Sequence, residues 1–121
     1  MDFTVIQTFS FFRAEKEPLE RFMDAAGTFG IQRIEQIESP VGVAHAYDMT
    51  HIVAKAIDLA GTTDRAKVRD ALEKVPHHRG LVRNYAPPFT STRHEALGPE
   101  QLLMARYRPD GVLVPAADQR R

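Results

Sequence analysis

The 121-residue chain contains no cysteine, so neither disulfide bonds nor thiolate chemistry can contribute to it. That absence leaves the compartment open, because many exported proteins also do without cysteine. A surplus of either charge is missing as well: 16 Lys and Arg balance 16 Asp and Glu. Nucleic-acid binders concentrate positive charge to replace phosphate counterions, so this balance argues against that class. The basic end Arg120-Arg121 reads as a solvated tail. No apolar run approaches the ~20 residues a helix needs to cross a bilayer. The start, Met1-Asp2-Phe3-Thr4-Val5-Ile6, has no basic region, no long apolar run and no small-residue cleavage site. It does not read as a secretory signal, and the chain as given would stay in the cytoplasm. Internal repeats, low-complexity tracts and dividing linkers are also lacking. One domain is expected, long enough to bury about two-thirds of its unfolded surface.

What is present is an alternation of strand and helix signals. Residues 3–8 form a β-branched and aromatic run, apolar on both faces, which suits a buried strand of the parallel type. Residues 18–29 carry Leu19, Phe22, Met23, Ala26 and Phe29 at helical spacing, with Pro18 fit for a first turn and Gly30 to end it. Ile31, Ile34 and Ile37 suggest one or two further turns before Pro40. The longest helix signal runs over residues 43–60, with Ala46, Thr50, Val53, Ile57 and Ala60 as its stripe and Tyr47 and Ala54 widening it. Gly61 suits a left-handed C′ position. Thr63 or Asp64 then caps a third helix carrying Val68, Ala71, Leu72 and Val75, with Asp70 and Lys74 as a same-face pair. Residues 81–85 read as a strand halted by Pro87-Pro88. Residues 102–107 and 112–114, joined by Arg108-Pro109-Asp110-Gly111, read as a hairpin with a type I turn and a glycine bulge. The order is strand, three helices, strand, hairpin. So few strands make a poor sheet on their own, so the first strand and residues 81–85 are expected to need neighbours this chain does not encode.

Catalytic and metal signals are weak. His45 and His51 are six apart, whereas a zinc-binding helix places histidines at i and i+4. Asp48 and His51 share a face at i, i+3, where a surface hydrogen bond outweighs metal ligation. His77-His78 follow a helix end, where cations are favoured electrostatically. Ser10, Ser39 and Ser91 lack the glycine-flanked turn of an activated nucleophile. Glu15, Glu17, Glu20 and Asp24 read as a solvated helix face. Gly27 and Gly30 do not form a phosphate loop. No enzyme, cofactor or metal is expected. The segment Gln7-Thr8-Phe9-Ser10-Phe11-Phe12 lies at a strand end, where open α/β sheets bind ligands. Its aromatics line a pocket or pack as core, with core ahead.

A resemblance enters at Pro40-Val41-Gly42-Val43-Ala44-His45-Ala46-Tyr47-Asp48-Met49. This stretch resembles the Pro-containing loop and Ala-Tyr-Asp helix start of type I periplasmic solute-binding proteins, the leucine–isoleucine–valine-binding group of ABC transporters. Ala56-Ile57-Asp58-Leu59-Ala60-Gly61, Val68-Arg69-Asp70-Ala71-Leu72, Gly80-Leu81-Val82 and Arg106-Tyr107-Arg108-Pro109-Asp110-Gly111 follow in that group's order. Each motif is weak, but together, over about residues 3–115, they are moderately specific.

The resemblance implies an α/β fold, a partial type I lobe, and a C-terminal fragment about a third of family length. It implies two lobes joined by a three-stranded hinge that close around a solute. Residues 3–85 then supply first-lobe elements, and residues 86–121 the connection and a second-lobe hairpin. The solute is a small organic molecule, an amino acid or aromatic acid, passed to an ABC permease in the periplasm. Thr8, Phe9, Val41, Gly42 and Val43 are the expected ligand contacts. Leucine-type members place an aromatic ligand contact five residues ahead of the helix tyrosine, and Gly42 stands there, leaving room for a larger solute. Unpaired strands and an uncovered helix stripe further imply a homodimer. The alternative is a stand-alone oligomerising interaction module with no transport role.

Overall fold

In the computed structural model of the chain, residues 3–116 are described; Met1, Asp2 and the Arg120-Arg121 end lie outside them. The described chain is mixed α/β and falls into two compact units, residues 3–43 with 99–116, and residues 44–98.

The first unit holds a three-stranded antiparallel sheet of β1 (Thr4–Gln7), β4 (Leu103–Tyr107) and β5 (Leu113–Pro115), in the order β1-β4-β5. The β4–β5 hairpin follows the sequence expectation. Gly111 N–H donates to Arg108 O at 2.9 Å, and Gly111 takes φ +81°, a backbone open to glycine and strained for other residues. The reading of β1 needs correction. It is an antiparallel edge strand, with Thr4 opposite Arg106 and Ile6 opposite Met104. Its neighbour is therefore encoded in this chain. Thr4 and Ile6 are exposed and Val5 and Gln7 half-buried, the alternation of a strand with one covered face rather than two.

Beyond β1 the chain turns inward. Ser10 Oγ accepts from Phe12 N–H at 3.3 Å and caps a 3₁₀ turn, Phe11–Arg13. That turn packs Phe9 edge-on against Phe11 at 4.9 Å and Phe11 at a tilt against Phe22 at 5.1 Å. All three rings are buried, each contributing about 1.5–3 kcal/mol on transfer from water. Phe22 comes from α1 (Lys16–Gly27), whose buried residues are Pro18, Phe22 and Ala26. The helix stops two residues before the sequence reading placed its end. Ile31 N–H bonds Ala26 O across Gly30 at φ +80°, which leaves Phe29 86% exposed. The acidic residues on α1 do form a solvated face, with Glu17 bonded to Arg21 at 2.8 Å.

Helix α2 (Pro40–Ala60) starts in the first unit and continues into the second. Pro40 opens it, three residues earlier than expected, at a first turn where a missing N–H costs nothing. Its buried residues are Ala44, Asp48, Ile52 and Ala56, a strict i, i+4 row. The apolar stripe read from sequence is displaced from this row: Ala46, Thr50 and Ala54 are exposed and Val53, Ile57 and Ala60 half-buried. Counting apolar positions passed over the row because an aspartate sits in its middle.

In the second unit, Ala56, Ala71 and Val75 form a core with Ala60, Val68 and Leu72 against it. Gly61 ends α2 at φ +64°, and Asp64 caps α3 (Arg65–Leu72) by accepting from Lys67 N–H at 3.0 Å. Asp70 bonds Arg69 at 3.0 Å instead of the expected Lys74. The strand expected at residues 81–85 is a hairpin of β2 (His78–Arg79) and β3 (Asn84–Tyr85). Leu81 and Val82 lie in its turn, which Gly80 N–H closes onto Arg83 O at 3.0 Å. Their N–H groups turn away from any ladder, because a carboxylate takes them.

Candidate functional site

The expected ligand contacts occupy two elements of the first unit. Thr8 and Phe9 follow β1, and Val41, Gly42 and Val43 make the first turn of α2. Thr8 is half-buried, whereas Phe9 is 5% exposed and engaged by the Phe11 ring. Phe9 is thus core, the reading ranked first from sequence. Val43 N–H bonds Ser39 O at 3.0 Å, which fixes the helix start. Val41 is half-buried, and Gly42 and Val43 are exposed. Gly42 lies within the helix rather than just before it. A Cβ there would stand 2.9 Å from Ser39 Oγ, so the space gained from glycine is occupied by a serine hydroxyl.

The densest polar arrangement lies elsewhere, around Asp48. This side chain is 1% exposed. Its Oδ1 accepts from Leu81 N–H at 2.6 Å, and its Oδ2 from Val82 N–H at 2.8 Å and the Tyr85 hydroxyl at 3.2 Å. Buried carboxylate oxygens need such donors in place of the water they lose. Burial, reinforced by the Asp48 charge, pushes the Tyr85 phenol well above its ordinary range, so it stays a donor. The surface hydrogen bond expected for Asp48 is therefore replaced by a buried one. Residue type alone does not separate the two. Its position between Ala44 and Ile52 and the Gly80-Leu81-Val82 turn were the signals available.

His51 and His78 stack towards the Tyr85 side of this cluster. His51 packs its ring on Tyr47 at 4.6 Å and on His78 at 5.8 Å, and His78 stacks on Tyr85 at 6.1 Å. His78 is a buried strand residue, not the loop residue expected after a helix end. His77 pairs with Asn84 Oδ1 at 2.6 Å, and its carbonyl accepts from Lys55 Nζ at 3.0 Å. Burial holds His45 below its ordinary pKa, with Asp48 opposing. Among the described residues, no group of three or more His, Cys, Asp or Glu is placed to hold a metal ion. No helix among them is long and apolar enough to cross a membrane.

A shallow cleft of about 230 Å³ is lined by Arg69, Leu72, Glu73, Phe89 and His94. Glu73 Oε1 takes Arg69 at 2.9 Å and His94 Nε2 at 3.0 Å. Nothing in the sequence points to this cleft, because α3 and the loop bearing Phe89 and His94 carry no motif linking them.

The chain is similar in structure to a type 1 periplasmic binding protein from Bordetella pertussis Tohama I, with a TM-score of 0.70 and 22% sequence identity. The match covers 93% of this chain and 33% of that one. The chain therefore has the α/β fold of part of a type 1 periplasmic binding protein and spans about a third of that protein's length. No protein-family model matches the chain, and no curated protein does.

Proposed function

We propose that the chain belongs to a solute-binding protein and contributes one side of the clamp that closes on the solute. The observation that carries this is the match of nearly the whole chain to a third of a type 1 periplasmic binding protein. Proteins that bind between moving lobes act by hinge closure around the ligand. In this reading residues 3–85 serve the first lobe, and residues 86–121 serve the connection and second lobe. The ligand is a small organic solute, an amino acid or aromatic acid, held by Thr8, Phe9, Val41, Gly42 and Val43 and delivered to an ABC permease from the periplasm. Phe9 acts from behind, as a buried ring supporting Thr8.

The chain is non-enzymatic in this reading. Asp48, the most buried acid among the described residues, has both oxygens engaged by donors and is not poised as a base. Calorimetry of the chain against amino acids and aromatic acids is expected to show weak binding, on the order of millimolar, since the chain spans about a third of the binding protein it matches. A micromolar isotherm would contradict the half-clamp. Hydrolysis of an ester, amide or phosphoester that disappears in His45→Ala or His78→Ala would overturn the non-enzymatic assignment.

A second reading, a self-associating module, rests on the β1 edge. Thr4-Val5-Ile6-Gln7 carries neither charge nor proline, the usual protections of an edge. Ile6 is 63% exposed beside Met104 at 50%. A homodimer built on this edge has two-fold symmetry. Sedimentation equilibrium is the test: dimers that dissociate in Ile6→Lys favour it, and a monomer at all concentrations removes it.

A further inference from the structure

The three donors around Asp48 come from one five-residue stretch of chain, and two of them are successive backbone N–H groups. Consecutive N–H groups converging on one point make an anion-binding concavity. Here Leu81 N–H and Val82 N–H address separate oxygens of one carboxylate, and the Tyr85 hydroxyl adds a third bond from the paired strand. Gly80 completes the concavity, because a Cβ there would stand 2.5 Å from Asp48 Oδ2. The backbone of the turn is thus shaped around a carboxylate group, and the helix supplies it.

We propose that the Gly80–Tyr85 turn is a carboxylate-binding nest that the chain fills with its own Asp48, and that this filling fixes the β2–β3 hairpin on α2. The nest's chemistry belongs to the turn, so a free small carboxylate takes the place of the Asp48 side chain once that is removed. The inference is independent of the solute-binding reading and stands or falls without it. It also separates charge and acceptor count from bulk. Asparagine has the same shape, but its amide group would point N–H bonds at a backbone N–H, leaving buried donors facing each other.

The test uses Asp48→Ala and Asp48→Asn in the full chain, with sodium formate as probe and sodium chloride at equal ionic strength as control. Both variants are expected to melt about 10 °C or more below the parent, the scale of losing buried charge-assisted bonds. Formate at roughly 100 mM should raise the melting temperature of Asp48→Ala by about 3 °C or more beyond chloride, by mass action on the folded state. The parent and Asp48→Asn, whose nests are filled, should not respond. If Asp48→Ala is unfolded at 25 °C, the same titration is followed by circular dichroism, and return of the folded signal with formate is the expected result. Asp48→Asn melting with the parent, or Asp48→Ala responding no more to formate than to chloride, overturns the proposal.

Discussion

A methyl group on Gly80 would stand 2.5 Å from Asp48 Oδ2, 2.6 Å from its Cγ and 2.8 Å from its Oδ1, all well inside van der Waals contact. The carboxylate has little freedom to retreat, because it is 1% exposed and bonded to Leu81, Val82 and Tyr85. Hydrogen bonds to a charged group contribute about 1.5–3 kcal/mol each, so loosening two costs about 3–6 kcal/mol. One effect opposes this. Gly80 is not among the glycines at positive φ, which are Gly30, Gly61 and Gly111. Alanine would therefore suit the backbone and restrict the unfolded chain, a gain of about 0.4–1 kcal/mol. The clash wins, and Gly80→Ala is expected to lose about 2–5 kcal/mol. Urea unfolding followed by circular dichroism should show a midpoint lower by about 1–2.5 M at a slope of about 2 kcal/mol per molar. Gly27→Ala is the control. Its Cβ position meets open space and its φ is not positive, so its stability should hold or rise, by up to about 1 kcal/mol. A Gly80→Ala midpoint at or above that of the parent would refute the packing argument around Asp48.

Asp64→Ala removes the side chain that caps α3 through Lys67 N–H and should lower stability by about 1 kcal/mol in the same urea titration. Stability should also depend on pH through His45, whose folded pKa lies below its ordinary value of 6.5 because of burial. The unfolded chain binds that proton more readily, so this contribution is whole above pH 6.5 and is lost as pH falls towards the folded value. Melting temperatures between pH 7.5 and 5 should show the decline, and His45→Gln should flatten it.

The elements that were legible in the sequence are those fixed by local chemistry. Gly61 and Asp64 mark the α2–α3 junction through backbone freedom and a capping side chain, and Asp110-Gly111 shapes the β4–β5 turn in the same way. Where tertiary partners decide, the local signal misleads. Residues 3–8 look like a two-sided buried strand because nothing local reveals that β4, a hundred residues away, pairs on one side only. Residues 81–85 look like a strand because Leu, Val and Tyr favour one, yet the carboxylate of Asp48, more than thirty residues earlier, takes the N–H groups of Leu81 and Val82. The row Ala44, Asp48, Ile52, Ala56 was invisible to a hydrophobic count for the same reason. A buried acid is legible only together with its donors. The ligand contacts rest on the family resemblance, and no shared motif links Thr8 to the α2 first turn.

The most direct test of the solute-clamp reading is a two-dimensional amide NMR titration of the full chain with a branched amino acid and an aromatic acid, each to roughly 20 mM, the range where half a site still binds. The account predicts fast-exchange shifts concentrated at Thr8, Phe9, Val41, Gly42 and Val43. Shifts confined to the cleft of Arg69, Glu73, Phe89 and His94, or none at any of these amides, would contradict it.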